Sequence, residues 1–331
     1  MSVVDLHSHV VPVDFPVEPA PCSCGKWPSM IHASEGPASL QIGGKEFRKL
    51  DSRSWDGARR RADMDREDVA LQVLSPMPEL LSYWLEPMLT LTLARHVNRM
   101  IGDLARGAPD RFAGLGMVPL QDPQLAAREL AALKQDNGLI GVEIGSNILG
   151  RAPGDPFFDP FFAEAERLDL CVFVHALHPV ATERVVGPPV LSAFLNFPID
   201  TGLAAASFIT AGTLAKFPTL RLAFSHGGGV LAAILPRLQR GWEIMPELQQ
   251  SFADPTAVAR QFYYDNLVFD TATLKYLIAS FGVTQLVAGS DYPYVAGQSH
   301  PGRPFDALGL GAESREGVRR GNALRFLNLT Q

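Results

Sequence analysis

The sequence has little of what secreted, membrane or nucleic-acid-binding proteins need. Three cysteines in 331 residues are too few for a disulfide framework, so we expect a reducing, cytoplasmic setting. The longest apolar runs, such as Val69–Leu74, fall far short of the roughly 20 residues that span a bilayer. The N-terminus also lacks the basic and apolar regions of a secretory signal.

Basic residues are also scarce. There are 29 Lys and Arg against 35 Asp and Glu, which gives a formal charge of −6 without a basic block. This balance argues against nucleic acid and anionic membrane surfaces as partners. The one arginine triplet, Arg59–Arg61, is followed by several acidic residues, which predicts a solvated helix face with local ion pairs.

Apolar side chains, in contrast, suffice for a large core. Hydrophobic residues make up 47% and charged residues 19% of the chain, which excludes a mostly disordered protein. The length allows one large domain or two ordinary ones.

Eight short apolar runs alternate with segments of helical period. Most lack the polar alternation of a half-exposed sheet, so we expect buried parallel strands. The predicted strands are Val3–His9, Val69–Leu74, Phe112–Met117, Leu139–Ile144, Cys171–His175, Arg221–Ser225, Phe262–Phe269 and Gln285–Gly289. No glycine-rich dinucleotide turn follows the first strand. We therefore predict an α/β fold, a (β/α)₈ TIM barrel that forms a single domain over residues 1–331, rather than two Rossmann-like halves.

Residues 10–55 interrupt this alternation directly after the first strand. The segment is rich in proline, and its part Ser39–Leu50 places Gly43-Gly44 between two strand-like runs, which is typical of a hairpin. Loops that follow barrel strands lie over the active face. We therefore expect this insertion to form a lid or wall of the site.

Histidine and aspartate residues stand at the ends of several predicted strands. His7 and His9 are two apart and project to the same side of a strand. His175 ends a strand and Asp291 follows another, and a barrel brings these ends together. Three imidazoles and a carboxylate favour a borderline metal, with Zn²⁺ as the first candidate. The alternative is that these are surface or core histidines without a metal.

His226 ends a further predicted strand and precedes Gly227-Gly228-Gly229. It is either another metal ligand or a general base, because an imidazole beside a metal-bound water can accept its proton near neutral pH. We favour the base.

Three motifs, Asp5–His9, Phe224–Gly229 and Gly289–Pro293, together resemble the amidohydrolase superfamily. More narrowly they are similar to its branch of metal-dependent decarboxylases that includes 2-amino-3-carboxymuconate-6-semialdehyde decarboxylase, and the resemblance covers nearly the whole chain. It implies non-oxidative decarboxylation of an unsaturated or aromatic carboxylic acid. A hydrolase or hydratase acting on a lactone, amide or unsaturated acid is the alternative, and a non-catalytic binding barrel is a more distant one.

The resemblance also assigns roles. It makes His226 the acid/base, and Asp291 helps to move the proton in one of two possible routes, in which the metal either activates water or chelates the substrate directly. The implied metal ligands are His7, His9, His175 and Asp291. Because Gly141–Gly145 has no lysine to bridge a second metal, we expect one ion per chain, zinc or another divalent metal such as Mn²⁺.

The family pattern further implies that Arg48 binds a substrate carboxylate and that Arg237 reaches the neighbouring subunit's site in a homodimer. Either arginine is otherwise a surface ion pair. The sequence departs from the family at His175-Ala-Leu-His178, so His178 is a new substrate contact or an exposed loop histidine. We interpret Cys22-Ser-Cys24 as a loop rather than a metal site.

Overall fold

The computed structural model describes residues 3–19, 25–34 and 36–329. Its strands are β1 (Val3–Val10), β2 (Pro28–Ile31), β3 (Ala38–Ile42), β4 (Lys45–Leu50), β5 (Val69–Pro76), β6 (Phe112–Gly116), β7 (Gly141–Gly145), β8 (Cys171–His175), β9 (Leu222–Phe224), β10 (Tyr263–Asp265) and β11 (Leu286–Val287). Eight of them pair in parallel, in the order β1-β5-β6-β7-β8-β9-β10-β11.

The sheet closes on itself through the chain around β11. Parallel bridges join Asp5 to Ala288 and Ser8 to Tyr292, and the N–H of His9 donates to the Tyr292 carbonyl at 2.7 Å. With helices packed around it, this is the predicted (β/α)₈ barrel. Closure places the end of β1 directly against the segment that carries Asp291.

The helices follow the strands around the barrel. They are α1 (Gly57–Arg66), α2 (Pro87–Gly107), α3 (Pro123–Asn137), α4 (Asp159–Arg167), α5 (Leu191–Thr210), α6 (Thr213–Lys216), α7 (Leu231–Ile244), α8 (Pro246–Ser251), α9 (Pro255–Ala259), α10 (Thr271–Phe281), α11 (Arg303–Asp306), α12 (Ala312–Glu316) and α13 (Asn322–Leu327). Aspartates cap several of them; for example, the Asp56 carboxylate accepts from the Ala58 and Arg59 N–H groups. The π-turn Gly317–Gly321 joins α12 to α13.

The strand expected over Phe262–Phe269 is much shorter, since β10 ends at Asp265. The Asp265 carboxylate accepts from the N–H of Leu267 at 3.1 Å and from that of Gly227 at 2.8 Å. A side chain that binds the backbone two residues on turns the chain out of the sheet. The second half of the predicted strand is therefore a loop.

Helix α5 also differs from the sequence pattern, which predicts a helix from Asp200 to Lys216. The helix begins nine residues earlier, at Leu191, and runs through Pro198. Proline removes one helical hydrogen bond, to the exposed residue Phe194. Helix α5 ends at Thr210 because Gly212, with φ of 64°, takes a left-handed conformation before α6.

Within the insertion, β2, β3 and β4 form an antiparallel sheet of their own. Gly43 and Gly44, with φ of 59° and 72°, make the tight turn between β3 and β4, as the hairpin signal predicts. Cys22 and Cys24 lie outside the described residues. None of the helices in residues 3–19, 25–34 and 36–329 has the length and apolar character that a membrane crossing needs.

Candidate metal centre and active site

The four predicted metal ligands converge at the carboxyl ends of the barrel strands. His7 and His9 come from β1, His175 ends β8, and Asp291 follows β11. One donor atom of each lies within 4.8 Å of the others. The three imidazoles are buried and the Asp291 side chain is 14% exposed. Residues far apart in the chain thus present four ligand atoms to one point.

Hydrogen bonds fix the tautomer of each imidazole. Every Nδ1 lies beside an oxygen acceptor and carries a proton, so each Nε2 is the nitrogen that faces the metal position. For His7, His9 and His175 these acceptors are, in turn, Asp265 Oδ2 at 2.6 Å, Pro76 O at 3.0 Å and Ala176 O at 2.8 Å. The Nε2 atoms of His7 and His9 are 3.0 Å apart, and the buried His175 Nε2 has no partner among the described residues. Two nitrogens this close need a proton or a metal cation between them, so the donor set fits a divalent metal.

Burial and neighbouring charges shift the pKa values of the three histidines. Burial lowers the pKa of His9 and, with help from the neighbouring imidazoles, that of His175. Burial also lowers the pKa of His7, but the carboxylates of Asp265 and Asp291 outweigh it and raise that pKa to about 9. The His9 and His175 rings are therefore neutral, whereas the carboxylates beside His7 favour a positive charge, which a bound metal would supply in place of a proton.

Asp265 is a functional residue that the sequence pattern missed. It ends β10, as the predicted ligands end or follow their strands, but the predicted strand ran on to Phe269 and placed it mid-strand. Burial raises the pKa of Asp265, but the hydrogen bond to His7, the charges of the His7 and His226 rings and the Gly227 N–H together outweigh burial, so that the pKa is lowered and the carboxylate is charged. A carboxylate behind a ligating histidine fixes the ring and makes it a stronger donor.

We expect Asp265→Asn to weaken metal binding by roughly 10- to 100-fold without removing a ligand, because the neutral amide no longer raises the basicity of the His7 ring. Competition of the purified protein with a chromogenic zinc chelator measures the dissociation constant. Asp270→Asn is the matched control, since Asp270 is an exposed aspartate that caps α10. Unchanged affinity in Asp265→Asn would remove this role.

Arg60 was also missed, because the triplet Arg59–Arg61 is not the uniformly solvated face that its sequence predicts. Arg60 is fully buried. Its guanidinium donates to the His9 carbonyl at 2.9 Å and to Ser8 Oγ at 3.1 Å. Charge spacing along a helix gives no signal for this inward contact, which holds β1 in place beneath the ligands.

His226 lies beside the ligand cluster, with ring centroids 5.6 Å from His7 and 5.1 Å from His175. It is not among the atoms that converge on the metal position. The Nδ1 atom of His226 is 3.2 Å from Ser225 Oγ. With φ of 55°, the His226 backbone is in the left-handed region, a feature common at functional sites. Burial lowers its pKa, so the ring is neutral near pH 7 and can accept a proton.

A pocket of ≈ 670 Å³ opens from this cluster, and His175, His226 and Asp291 lie on its wall. Arg48 from the insertion also lines it, with its guanidinium 4.4 Å above the Tyr294 ring. The Arg48 guanidinium forms no hydrogen bond or ion pair with the described residues. An unpaired guanidinium in a pocket can bind a carboxylate.

The other two residues predicted to bind substrate, His178 and Arg237, differ in their positions relative to the pocket. His178 lines the pocket, although half of its side chain is exposed. Arg237 is exposed on α7 and does not line the pocket of its own chain. The structure thus gathers all of the predicted site residues except Arg237.

The comparisons with known proteins agree with this geometry. The model of the Amidohydrolase family matches residues 4–329. The 2-amino-3-carboxymuconate-6-semialdehyde decarboxylase of Dictyostelium discoideum is 34% identical, over 98% of this chain and 91% of its own.

Solved structures agree as well. The 5-carboxyvanillate decarboxylase of Sphingomonas paucimobilis superposes with a TM-score of 0.83 at 23% identity, covering 99% of both chains. That of Novosphingobium aromaticivorans, solved with manganese and 4-hydroxy-3-methoxy-5-nitrobenzoic acid, has a TM-score of 0.73 at 26% identity, over 84% of this chain and 82% of its own. The chain therefore belongs to the amidohydrolase family and resembles its branch of metal-dependent decarboxylases.

Proposed function

We propose that the protein is a carboxy-lyase that removes CO₂, without oxidation, from a small unsaturated or aromatic carboxylic acid. One observation carries this proposal: donor atoms of three imidazoles and a carboxylate meet beside a pocket, and the wall of that pocket holds His175, Asp291, His226 and the unpaired guanidinium of Arg48. The relatives named above are decarboxylases of such acids.

In this proposal one divalent ion is bound per chain, and its ligands are His7, His9, His175 and Asp291. Zinc suits the three imidazoles and the carboxylate, and manganese, which is bound in the Novosphingobium relative, is the nearest competitor. When bound, such an ion acts as a Lewis acid that polarises the substrate carboxylate or its conjugated system.

The protein's own residues then orient the acid and move a proton. Arg48 binds a carboxylate or other anionic group of the substrate through its guanidinium fork. As the carbon–carbon bond breaks and CO₂ leaves, the electron pair left on the carbon takes up a proton. His226, neutral near pH 7, takes up a proton from solvent water early in the cycle and delivers it to that carbon. Asp291 is the second group that can move the proton.

The direct test is CO₂ release from zinc- or manganese-loaded protein with a panel of hydroxybenzoates and carboxymuconate-type acids. CO₂ released in step with loss of the acid supports the proposal. Turnover of a lactone or amide without CO₂ would instead place the protein among the hydrolases of its superfamily.

We further propose that the protein forms a homodimer through α5. The residues Leu195, Ile199 and Leu203 recur every four positions on that helix and are between 38% and 52% exposed. Such an apolar stripe on a helix is typical of a surface that packs against another chain. Helix α7, which carries the exposed Arg237, packs against α5. The predicted role of Arg237 at the partner's pocket is part of this proposal.

We expect the double substitution Leu195→Asp with Ile199→Asp to convert the dimer to a monomer in multi-angle light scattering. Polar replacements at exposed positions cost a folded monomer little stability, whereas charges buried in an interface disrupt it. Met88→Asp, on the exposed face of α2, is the matched control. A wild-type protein that is monomeric at micromolar concentration would contradict the dimer.

The insertion over residues 10–55 is proposed as a lid-like part of the single domain over residues 1–331. Phe47 and Arg48, both on β4, reach the pocket from it, which supports this role. The free, buried thiol of Cys171 agrees with a cytoplasmic location.

A further inference from the structure

The pocket wall contains a carboxylate that the proposed chemistry does not use. Glu79, in the short turn Pro78–Leu81 after β5, and His178, after β8, both line the pocket. His178 Nε2 lies 3.0 Å from Glu79 Oε2 and 3.2 Å from Oε1. A carboxylate only accepts hydrogen bonds, so Nε2 carries the proton and His178 donates. This pair joins the loop after β5 to the loop after β8 on the pocket wall.

The surroundings hold His178 in one orientation. Its φ of 42° is in the left-handed region, which a non-glycine residue keeps only when its neighbours enforce it. Its ring stacks on that of Trp84, with centroids 4.7 Å apart and an angle of 11°. Asn147 Nδ2 donates to the His178 carbonyl at 3.2 Å, and Asp200 Oδ1 accepts from the Val180 N–H at 3.2 Å. The position of His178 is therefore built into the fold.

Glu79 has acceptor capacity left over. Its side chain is only 16% exposed, and among the described residues His178 is the one donor to its carboxylate. A carboxylate offers about four lone-pair positions. The pocket lining also includes the apolar residues Met77, Leu177 and Phe197. A molecule in the pocket is therefore well placed to supply the missing donors.

We propose that Glu79, held by His178, is a specificity-determining residue that accepts a hydrogen bond from a hydroxyl or amino group of the substrate. The inference rests on the proposed function in that the acid occupies this pocket. Arg48 selects for an anionic or acceptor group, whereas Glu79 selects for a donor and repels a second carboxylate on its own side. The substrate class is then a hydroxy- or amino-substituted carboxylic acid.

The test compares benzoic acids that carry a hydroxyl group ortho, meta or para with the corresponding methyl ethers, which cannot donate. Dissociation constants come from calorimetry on the zinc-loaded protein, and CO₂ release is followed separately. We expect the wild type to prefer at least one hydroxyl acid by about 10- to 100-fold, the usual range for a hydrogen bond to a charged group. In Glu79→Val this ratio should fall to near one, while the affinity for the ether is kept.

Two further variants separate recognition from a structural role. Glu79→Gln retains an acceptor oxygen and the shape of the side chain, so it should keep part of the preference. Glu164→Gln, which removes an ion pair with Arg167 on the outer helix α4, should leave the ratio unchanged.

The outcomes distinguish this inference from the proposed function. An unchanged ratio in a folded, zinc-loaded Glu79→Val protein overturns the inference, and so does binding of neither member of any pair. A preference for the hydroxyl acid that depends on Glu79, without CO₂ release from any acid, supports the inference and contradicts the decarboxylase proposal.

Discussion

Replacing His175 with alanine is expected to empty the metal site and to abolish turnover. Among the described residues, the buried His175 Nε2 has no partner, so it is the atom with the clearest need for a cation. Removing it leaves three of the four converging donors, on His7, His9 and Asp291. Metal measured by elemental analysis should fall from about one ion per chain to a small fraction. Because Lewis-acid polarisation is worth several kcal/mol, turnover should fall by roughly 10³-fold or more.

Asp291→Ala should likewise lose both metal and turnover. The Asp291 side chain reaches the site from a different strand end than His175. His96→Ala is the control, since His96 Nε2 donates to the Asp14 carbonyl away from the pocket. Thermal unfolding separates metal loss from misfolding: added zinc should raise the melting temperature of the wild type and not that of the variants. A full equivalent of metal in either variant would remove that residue from the ligand set.

Replacing His226 with alanine is expected to leave the metal in place and to lower kcat by roughly 10²- to 10⁴-fold, the usual contribution of general acid–base catalysis. The ring is neutral and lies against the ligand cluster, but its nitrogens are outside the group of converging donor atoms. Retained metal with lost turnover is therefore the specific signature of a base.

The metal content of the His175→Ala and His226→Ala variants therefore distinguishes a metal ligand from a general base. His226→Gln provides the conservative comparison, because it keeps hydrogen-bonding capacity and cannot take up a proton. If His226→Ala loses its metal together with its activity, His226 is a ligand after all. A kcat equal to that of the wild type would exclude it as the base.

The sequence predicted much of the site because strand ends in a barrel meet at one mouth. His7 and His9 were recognisable from their spacing on a strand, and His175 and Asp291 from their places at the ends of apolar runs. Asp265 obeys the same rule, but its strand ends where its own carboxylate turns the chain, and apolar pattern alone gave no sign of that turn.

The contacts between polar side chains of distant segments could not be predicted from the sequence pattern. Arg60 belongs to a charged run that is typical of a solvated helix face, yet it lies under β1 and binds the His9 carbonyl. Glu79 follows a proline in an ordinary-looking turn, and only the fold brings it to His178, 99 residues away. Contacts of this kind depend on which elements become neighbours.

By itself the sequence determined the α/β class, the order of strands and helices, the insertion and the residues predicted as metal ligands, because these follow from local periodicity and from residue chemistry at strand ends. The tertiary structure decided which nitrogen of each imidazole is free, that His226 stands beside the ligand cluster, and that Glu79 faces the pocket. These properties depend on hydrogen-bond partners and on distances between side chains. Such contacts exist only once the barrel has closed between β1 and β11.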